Sequence, residues 1–247
     1  MKVSIMQPNI FMWGGLLKSL LDSDLHVIRD DVKSTKNSRF NRNRIAGNSD
    51  VIWLTIPFVK FRDNKLIGEQ YLNTSHKTVQ KIKQIYTSRY KGYKYYQDTL
   101  NLISSTLDFQ SDETLLCDVY LKFLKELKLF GFPICEFTLA SSLEINKNGE
   151  EKYYGLEMVN KILAKTKAET YLAAENTINY AQPDEYKVKN VMLQKYEDLP
   201  YKNLDLENAF QFNKNLSSLD IISNLSVKDA IEHVNLSNNW KLFKNFN

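Results

Sequence analysis

The fold is decided by two short stretches near the start of the sequence, KVSIMQPN at residues 2–9 and LHVIRDD at residues 25–31. Each begins with apolar and β-branched residues, which predicts a β-strand. A helix is predicted between them over residues 16–21, after a pair of glycines. A strand, a helix and a second strand form a βαβ-like opening, which is typical of a largely parallel sheet.

Polar residues follow both of these strands directly. Gln7, Pro8 and Asn9 end the first strand, and Asp30 and Asp31 end the second. The carboxyl ends of parallel strands meet at one edge of a sheet, and ligands of open α/β sheets bind beyond that edge. These side chains are therefore the first candidates for a binding site.

The rest of the chain continues the alternation of strands and helices. The run VIWLTIPFV at residues 51–59 predicts a strand buried on both faces that ends near Pro57. Further strands are predicted at residues 136–139, 170–174 and 188–196, and helices at residues 76–86, 95–107, 113–127, 155–166, 216–225 and 227–234. We therefore expect one α/β domain over residues 1–247, a largely parallel sheet flanked by helices with a mostly helical C-terminal half.

The charge of the chain is nearly balanced, with 33 basic and 29 acidic residues and a formal net charge of +4. Lysines are scattered among acidic residues, whereas a dedicated nucleic-acid binder concentrates its positive charge. One basic cluster is present at residues 33–44. Because asparagines are interleaved with its arginines, it suits a small anionic ligand at least as well as a polymer. We therefore expect no nucleic-acid partner and retain nucleic-acid association as an alternative.

Two cysteines, Cys117 and Cys135, lie in apolar surroundings without the spacing of a metal site. Free buried thiols are the main interpretation, and a nucleophilic role for Cys117 is the alternative. The absence of a disulfide pattern favours a reducing compartment. We find no signal-peptide pattern and no apolar stretch of transmembrane length, so we expect a cytoplasmic location without a transmembrane segment.

The segment at residues 30–45 combines carboxylates, amides and guanidinium groups. Arginine offers a planar fork of donors to phosphate, and asparagine offers both a donor and an acceptor to sugar hydroxyls. The alternative is a polar surface loop with no ligand. The candidates in this segment are Asp30, Asp31, Lys36, Asn37, Asn41, Arg42 and Asn43.

Only three histidines are present. His76 is predicted at the start of a helix, where the helix dipole disfavours the charged imidazolium and keeps a neutral base available. An exposed histidine without function is the alternative. His26 and His233 are interpreted as structural. Ser217, Ser218 and Asp220 are interpreted first as a helix cap. The motifs of the common serine hydrolases, P-loop proteins, dinucleotide-binding proteins and zinc proteases are absent, and no metal site or cofactor is expected.

These residues resemble the WbqC-like family of bacterial surface-polysaccharide gene clusters. The resemblance rests on motifs that occur in family order along most of the chain: Met6-Gln7-Pro8-Asn9 with Phe11, Trp13 and Gly14; Asp30-Asp31-Val32, Lys36 and Asn41-Arg42-Asn43; Trp53-Leu54-Thr55-Ile56-Pro57; His76 and Tyr86; and Leu216-Ser217-Ser218-Leu219-Asp220 with Asn224. Two positions depart from the family pattern. Met6 stands where the family has histidine, and Lys33 stands where glutamine is common.

The resemblance implies a transferase of O-antigen or capsule biosynthesis that attaches an acyl or aminoacyl group to a nucleotide-linked amino sugar. An acyl or aminoacyl donor, or its carrier protein, is the implied second partner. In this hypothesis His76 is the general base and is oriented by Asp31. The expected substrate-binding residues are Gln7, Asn9, Asp30, Lys36, Asn37, Asn41, Arg42, Asn43, Ser218 and Asp220. The alternative, which the Met6 departure favours, is a non-catalytic protein that binds a sugar nucleotide or another protein of the pathway.

Overall fold

The computed structural model describes residues 1–36, 38–46, 51–63, 65–145, 154–201 and 215–245. The described strands are β1 (Lys2–Met6), β2 (Leu25–Ile28), β3 (Arg42–Ala46), β4 (Val51–Thr55), β5 (Tyr71–Asn73), β6 (Glu113–Leu115), β7 (Glu136–Leu139), β8 (Thr170–Ala174), β9 (Asn190–Tyr196) and β10 (Asn238–Leu242). The described α-helices are α1 (Gly14–Asp22), α2 (His76–Tyr90), α3 (Tyr96–Thr106), α4 (Leu116–Phe130), α5 (Gly155–Lys165), α6 (Ser218–Asn224) and α7 (Val227–Leu236).

The central sheet has six strands in the order β10-β9-β8-β1-β2-β7, and only the β9–β10 pair is antiparallel. The chain leaves β1 toward β2 and β7, and then returns to the other side of β1 to form β8. The connection that follows β1 therefore runs to one side of this strand, and the connection that leads to β8 runs to the other side. Such a topological switch point leaves a crevice at the carboxyl ends of the two strands, where open α/β sheets bind ligands.

Helices cover both faces of this sheet. On one face Val3, Ile5 and Val27 pack in a core with residues of α5. On the other face Ile28 belongs to a larger core with α1 and α4. Alternate residues of a strand point to opposite faces, so the apolar character of both residue sets requires a layer of helices on each side.

His26 is fully buried within this sheet and is part of a chain of hydrogen bonds. The Ser4 hydroxyl lies 2.8 Å from His26 Nδ1, and the Ser23 hydroxyl donates to Ser4 Oγ at 2.9 Å. Burial lowers the pKa of His26 to about 3, because an apolar interior disfavours the charged imidazolium. His26 is therefore a core histidine, and its Nε2 atom has no hydrogen-bond partner among the described residues.

The α/β class and the largely parallel sheet are confirmed. Helical residues outnumber strand residues in the described C-terminal half, but this half also supplies four of the six strands of the central sheet. Within the described ranges, no helix is long and apolar enough to cross a membrane.

The prediction for residues 51–59 needs correction. β4 does not join the central sheet but pairs with β3 in an antiparallel hairpin, and residues 42–46 form a strand where a polar loop was the alternative. Leu54 is buried, whereas Trp53 remains 42% exposed. Although the residues of this run are mostly apolar, their side chains alternate between an inner and an outer face of the strand. This alternation is typical of a two-stranded hairpin with one covered face.

Candidate binding cleft at the sheet edge

A cleft of about 280 Å³ lies at the carboxyl ends of β1 and β8, at the topological switch point. Its walls come from the end of β1, from the start of α1, from the segment before β3, and from β8 and the turn after it. The lining of the cleft includes Met6, Gln7, Asn9, Trp13, Arg39, Tyr171 and Thr177. Position at this edge was predicted for Gln7 and Asn9, and the structure places both there.

The walls of the cleft combine amide groups with aromatic rings. Gln7 is exposed and Asn9 is half-buried. Trp13 packs edge-on against Tyr196, with ring centroids 4.7 Å apart. Burial raises the pKa of Tyr171, so this phenol stays neutral. Amides that both donate and accept, beside flat apolar surfaces, suit a sugar ring with hydroxyls at its edge.

The position of the Trp13 ring leaves no space for a side chain at residue 15, so a glycine is needed there. A Cβ atom on Gly15 would lie 2.1 and 2.2 Å from two carbons of that ring, far inside van der Waals contact. The close approach of α1 therefore holds the indole in its position at the cleft.

A buried polar network connects the cleft to the β3–β4 hairpin. The Asn43 amide donates to the Asn9 side-chain oxygen at 3.2 Å and to the Phe11 carbonyl at 2.9 Å. Its own oxygen accepts from the Arg44 backbone N–H at 2.9 Å. The Ser217 hydroxyl donates to the same Phe11 carbonyl at 2.6 Å. The wall of the cleft and the inner face of the hairpin are thereby fixed to each other.

The outer face of the hairpin carries arginines around an exposed indole. The Arg42 guanidinium carbon lies 4.5 Å from the Trp53 ring centroid, and that of Arg39 lies 5.9 Å away. Burial, and secondarily the Arg44 charge, lower the pKa of Arg39. This surface attracts anions and continues from the cleft, because Arg39 also lines the cleft.

The two aspartates after β2 have partners within the protein. Asp30 is 5% exposed and accepts from the Ser141 backbone N–H at 3.0 Å and from the Ser141 hydroxyl, which ties the end of β2 to the end of β7. Asp31 pairs with Arg29 at 2.7 Å. Lys36 is exposed, and Asn37 lies outside the described residues.

Three other predicted binding residues are buried. Asn41 donates to the Ile56 carbonyl at 2.7 Å. Ser218 is fully buried, and its backbone N–H donates to the Met12 carbonyl at 2.5 Å. Asp220 is 3% exposed. These contacts hold the elements around the cleft together, and the role of the three residues in ligand binding stays a prediction.

Asp220 lies in a group of tyrosines beneath the hairpin. Tyr90 donates to Asp220 Oδ1 at 2.8 Å, and Tyr201 donates to Oδ2. The Tyr90 hydroxyl also accepts from the Ala46 backbone N–H at 2.9 Å. Burial raises the pKa of Asp220, while the hydrogen bonds from Tyr201 and Tyr90 partly offset this effect. The predicted cap of α6 is made by Ser217, whose hydroxyl accepts from the Leu219 N–H.

His76 lies at a different cavity. It begins α2, is exposed, and lines a cavity of about 530 Å³ together with Lys83, Asp108 and Asp112. Its ring nitrogen lies 3.3 Å from the Gln80 amide. No contact described in the structure joins it to Asp31 or to the cleft, so the pairing of these two residues stays a prediction.

Several residues at the cleft or beside it were not among the candidate site residues from sequence, including Trp13, which was quoted only as part of the family motif. Arg39 lies within the basic cluster at residues 33–44 and could have been found by its charge. Trp53 was assigned to a doubly buried strand, which hid its exposure. Tyr171 and Thr177 belong to β8 and the turn after it, and only the pairing of β8 with β1 brings them to this edge.

Cys117 and Cys135 are free, and burial raises the pKa of each thiol to about 12. The interpretation as free thiols is confirmed, and a thiol of such high pKa is a poor nucleophile near neutral pH. Among the described residues, no group of three or more histidine, cysteine, aspartate and glutamate side chains could hold a metal ion.

Comparison with known proteins identifies one matching protein family. The model of the WbqC-like protein family matches residues 7–232. A protein of Mycobacterium tuberculosis (strain ATCC 25618 / H37Rv), whose name is Uncharacterized protein Rv1507c, is 36% identical over 73 residues. That match covers 29% of this chain and 32% of the relative, so the chain spans about a third of the relative's length. No solved structure matches the chain.

Proposed function

The chain belongs to the WbqC-like protein family, and we propose that it binds a nucleotide-linked amino sugar in the biosynthesis of bacterial surface polysaccharide. The observation that carries the proposal is the cleft at the topological switch point, with amides and aromatic rings in its walls and an arginine at its rim. The proposed reaction is the transfer of an acyl or aminoacyl group to the sugar amine in the cytoplasm, with the donor or its carrier protein as second partner.

Each wall of the cleft has a role in this proposal. The Gln7 and Asn9 amides hydrogen bond to sugar hydroxyls. The rings of Trp13 and Tyr171 contact the apolar face of the sugar. Arg39 binds phosphate at the rim, since a guanidinium matches the geometry of phosphate oxygens.

A non-catalytic sugar-nucleotide-binding protein is the second candidate, and the chemistry of the cleft favours it. Met6 lines the cleft at the position where the family resemblance leads one to expect histidine. Among the described residues that line the cleft, none carries a carboxylate, an imidazole or a thiol. A transferase built on this cleft would therefore act by binding and orienting its two substrates.

Isothermal titration calorimetry with a panel of nucleotide-linked amino sugars tests the binding proposal. Gln7→Ala should weaken binding about threefold to tenfold, which is the usual net value of one hydrogen bond. Gln97→Ala is the matched control, because Gln97 is an exposed glutamine on α3, outside the cleft lining, whose amide donates to Asn101 of the same helix. Equal affinity of both variants and the wild type, or no binding of any sugar nucleotide, would remove the cleft from the proposal.

A transfer assay separates the two candidates. The bound sugar nucleotide is incubated with acyl and aminoacyl donors, and an amide product is sought by mass spectrometry. Product formed by the wild type, and formed about threefold to tenfold more slowly by Gln7→Ala at sugar-nucleotide concentrations below Kd, supports the transferase. Binding without product from any donor supports the non-catalytic protein. The general-base role of His76, oriented by Asp31, is tested in the same assay with alanine variants.

A further inference from the structure

The β3–β4 hairpin presents a basic and aromatic surface beside the cleft. In its antiparallel register Arg44 lies opposite Trp53 and Arg42 lies opposite Thr55, so all four side chains emerge on one face. The opposite face is covered, with Asn43 and Leu54 fully buried. Because the inner face is packed against the protein, the side chains of the outward face extend from a fixed backbone and not from a loose surface loop.

The charges on this face are arranged as a receptor for an anion. Among the residues that the structure describes, no carboxylate forms an ion pair with Arg39 or Arg44. Burial is the main cause that lowers the pKa of Arg39, and the like charge of the nearby Arg44 lowers it further. Trp53 is 42% exposed, and the Arg42 guanidinium lies over its ring at 4.5 Å. A guanidinium in this position is oriented by a cation–π contact.

The cleft is small for the proposed ligand. A volume of about 280 Å³ is just below the ~300–1,000 Å³ found for small-molecule sites. A single sugar ring suits that volume better than a whole sugar nucleotide. The remaining part of the ligand must extend beyond the rim, and Arg39 lines the cleft while its guanidinium carbon lies 5.9 Å from the Trp53 ring.

We propose that the outward face of the β3–β4 hairpin is the diphosphate subsite of the substrate, with Arg39, Arg42 and Arg44 as phosphate ligands and Trp53 as the residue that positions Arg42. The proposal rests on the proposed function, because it assigns the nucleotide end of the same ligand. It gives the ligand one direction, with the sugar at the switch point and the phosphates on the hairpin. Arginine serves here because its planar fork can bind two phosphate oxygens at once.

Calorimetric titration of the full chain with inorganic pyrophosphate and with uridine, guanosine and thymidine diphosphates tests the subsite without any sugar. Arg39→Ala and Arg44→Ala should each weaken pyrophosphate binding about tenfold or more, as expected for a charge-assisted hydrogen bond. Arg62→Ala is the matched control, because Arg62 is an exposed arginine outside the hairpin and the cleft lining.

Trp53 variants test the positioning role. Trp53→Ala should weaken pyrophosphate binding about twofold to fivefold, the value of an exposed cation–π contact, and Trp53→Phe should restore most of it because an aromatic face remains. Arg42→Lys keeps the charge but loses the fork, and should bind more weakly than the wild type. Circular dichroism of each variant verifies that the hairpin change leaves the fold intact.

The outcomes separate the subsite from the cleft. Loss of pyrophosphate binding in the arginine variants, but not in Arg62→Ala, supports the subsite. Pyrophosphate affinity equal in all variants overturns the subsite, while the Gln7→Ala result with whole sugar nucleotides still decides the proposed function. Tighter binding of a single-stranded RNA oligomer than of the diphosphates, with a steep salt dependence, also overturns the proposal, because it makes this face a nucleic-acid surface.

Discussion

Replacing Asn43 with alanine tests whether this residue builds the site or binds the ligand. The side chain is fully buried and makes three hydrogen bonds, to Asn9, to the Phe11 carbonyl and from the Arg44 N–H. At about 1 kcal/mol net for each bond, Asn43→Ala should lower the free energy of unfolding by roughly 3 kcal/mol. For a chain of this size that is a fall of about 6–12 °C in Tm.

Urea unfolding followed by circular dichroism gives the free energy, and differential scanning calorimetry gives the Tm. Asn101→Ala is the matched control, because Asn101 is an exposed asparagine on α3 and should change stability by no more than about 0.5 kcal/mol. If Asn43→Ala kept the wild-type Tm and lost sugar-nucleotide affinity, the reasoning from the structure would be refuted. Asn43 would then contact the ligand directly, as the sequence interpretation has it.

Asp220, His76 and Gly15 each give a further prediction. Burial raises the pKa of Asp220 above its ordinary value of 3.8, so the folded protein holds that proton more tightly than the unfolded chain and loses stability as pH rises from 3.8 through the folded pKa. The stability of Asp220→Asn relative to the wild type should therefore increase with pH in urea titrations, and a constant difference would contradict the raised pKa. His76→Ala should change stability by no more than about 0.5 kcal/mol. It should leave sugar-nucleotide affinity unchanged in calorimetry, because His76 lines the other cavity. A transfer rate lower by about 10²–10⁴-fold would instead support its role as general base. Gly15→Ala should cost about 1–3 kcal/mol in urea unfolding because the new methyl overlaps the Trp13 ring, and an unchanged midpoint would mean that this ring moves freely.

Local patterns predicted the central elements well. β1, β7 and β8 lie at the predicted residues, and the ends of most helices differ from the prediction by a few residues. These elements have an apolar period that matches their own geometry, and some of their ends coincide with glycine or a polar cap, as at Gly131, Ser217 and Ser226. The same period failed for the hairpin, because an indole counts as apolar whether it is buried or, like Trp53, exposed.

The candidate site also has residues that could be placed from sequence and residues that could not. Gln7 and Asn9 could be placed from sequence, because their position at the end of β1 fixes the edge of the sheet that they reach. Asn41, Asn43 and Asp220 were also candidates from sequence, but in the structure they bond to groups of the protein interior. Sequence cannot distinguish a polar group that meets a ligand from one that satisfies a buried backbone group, because both need the same chemistry.

By itself the sequence determined the α/β class, the parallel β1–β2 opening, the helices and the chemical types available to a site, because these depend on residues close together in the chain. Only the tertiary structure decided that β8 returns beside β1 and brings Tyr171 and Thr177 to the cleft. It also decided that His76 faces another cavity and that Arg39 lies near the Trp53 ring. These arrangements come from pairing and packing between distant segments, and the free energy of such contacts depends on both segments together, so the local pattern of one segment does not determine it.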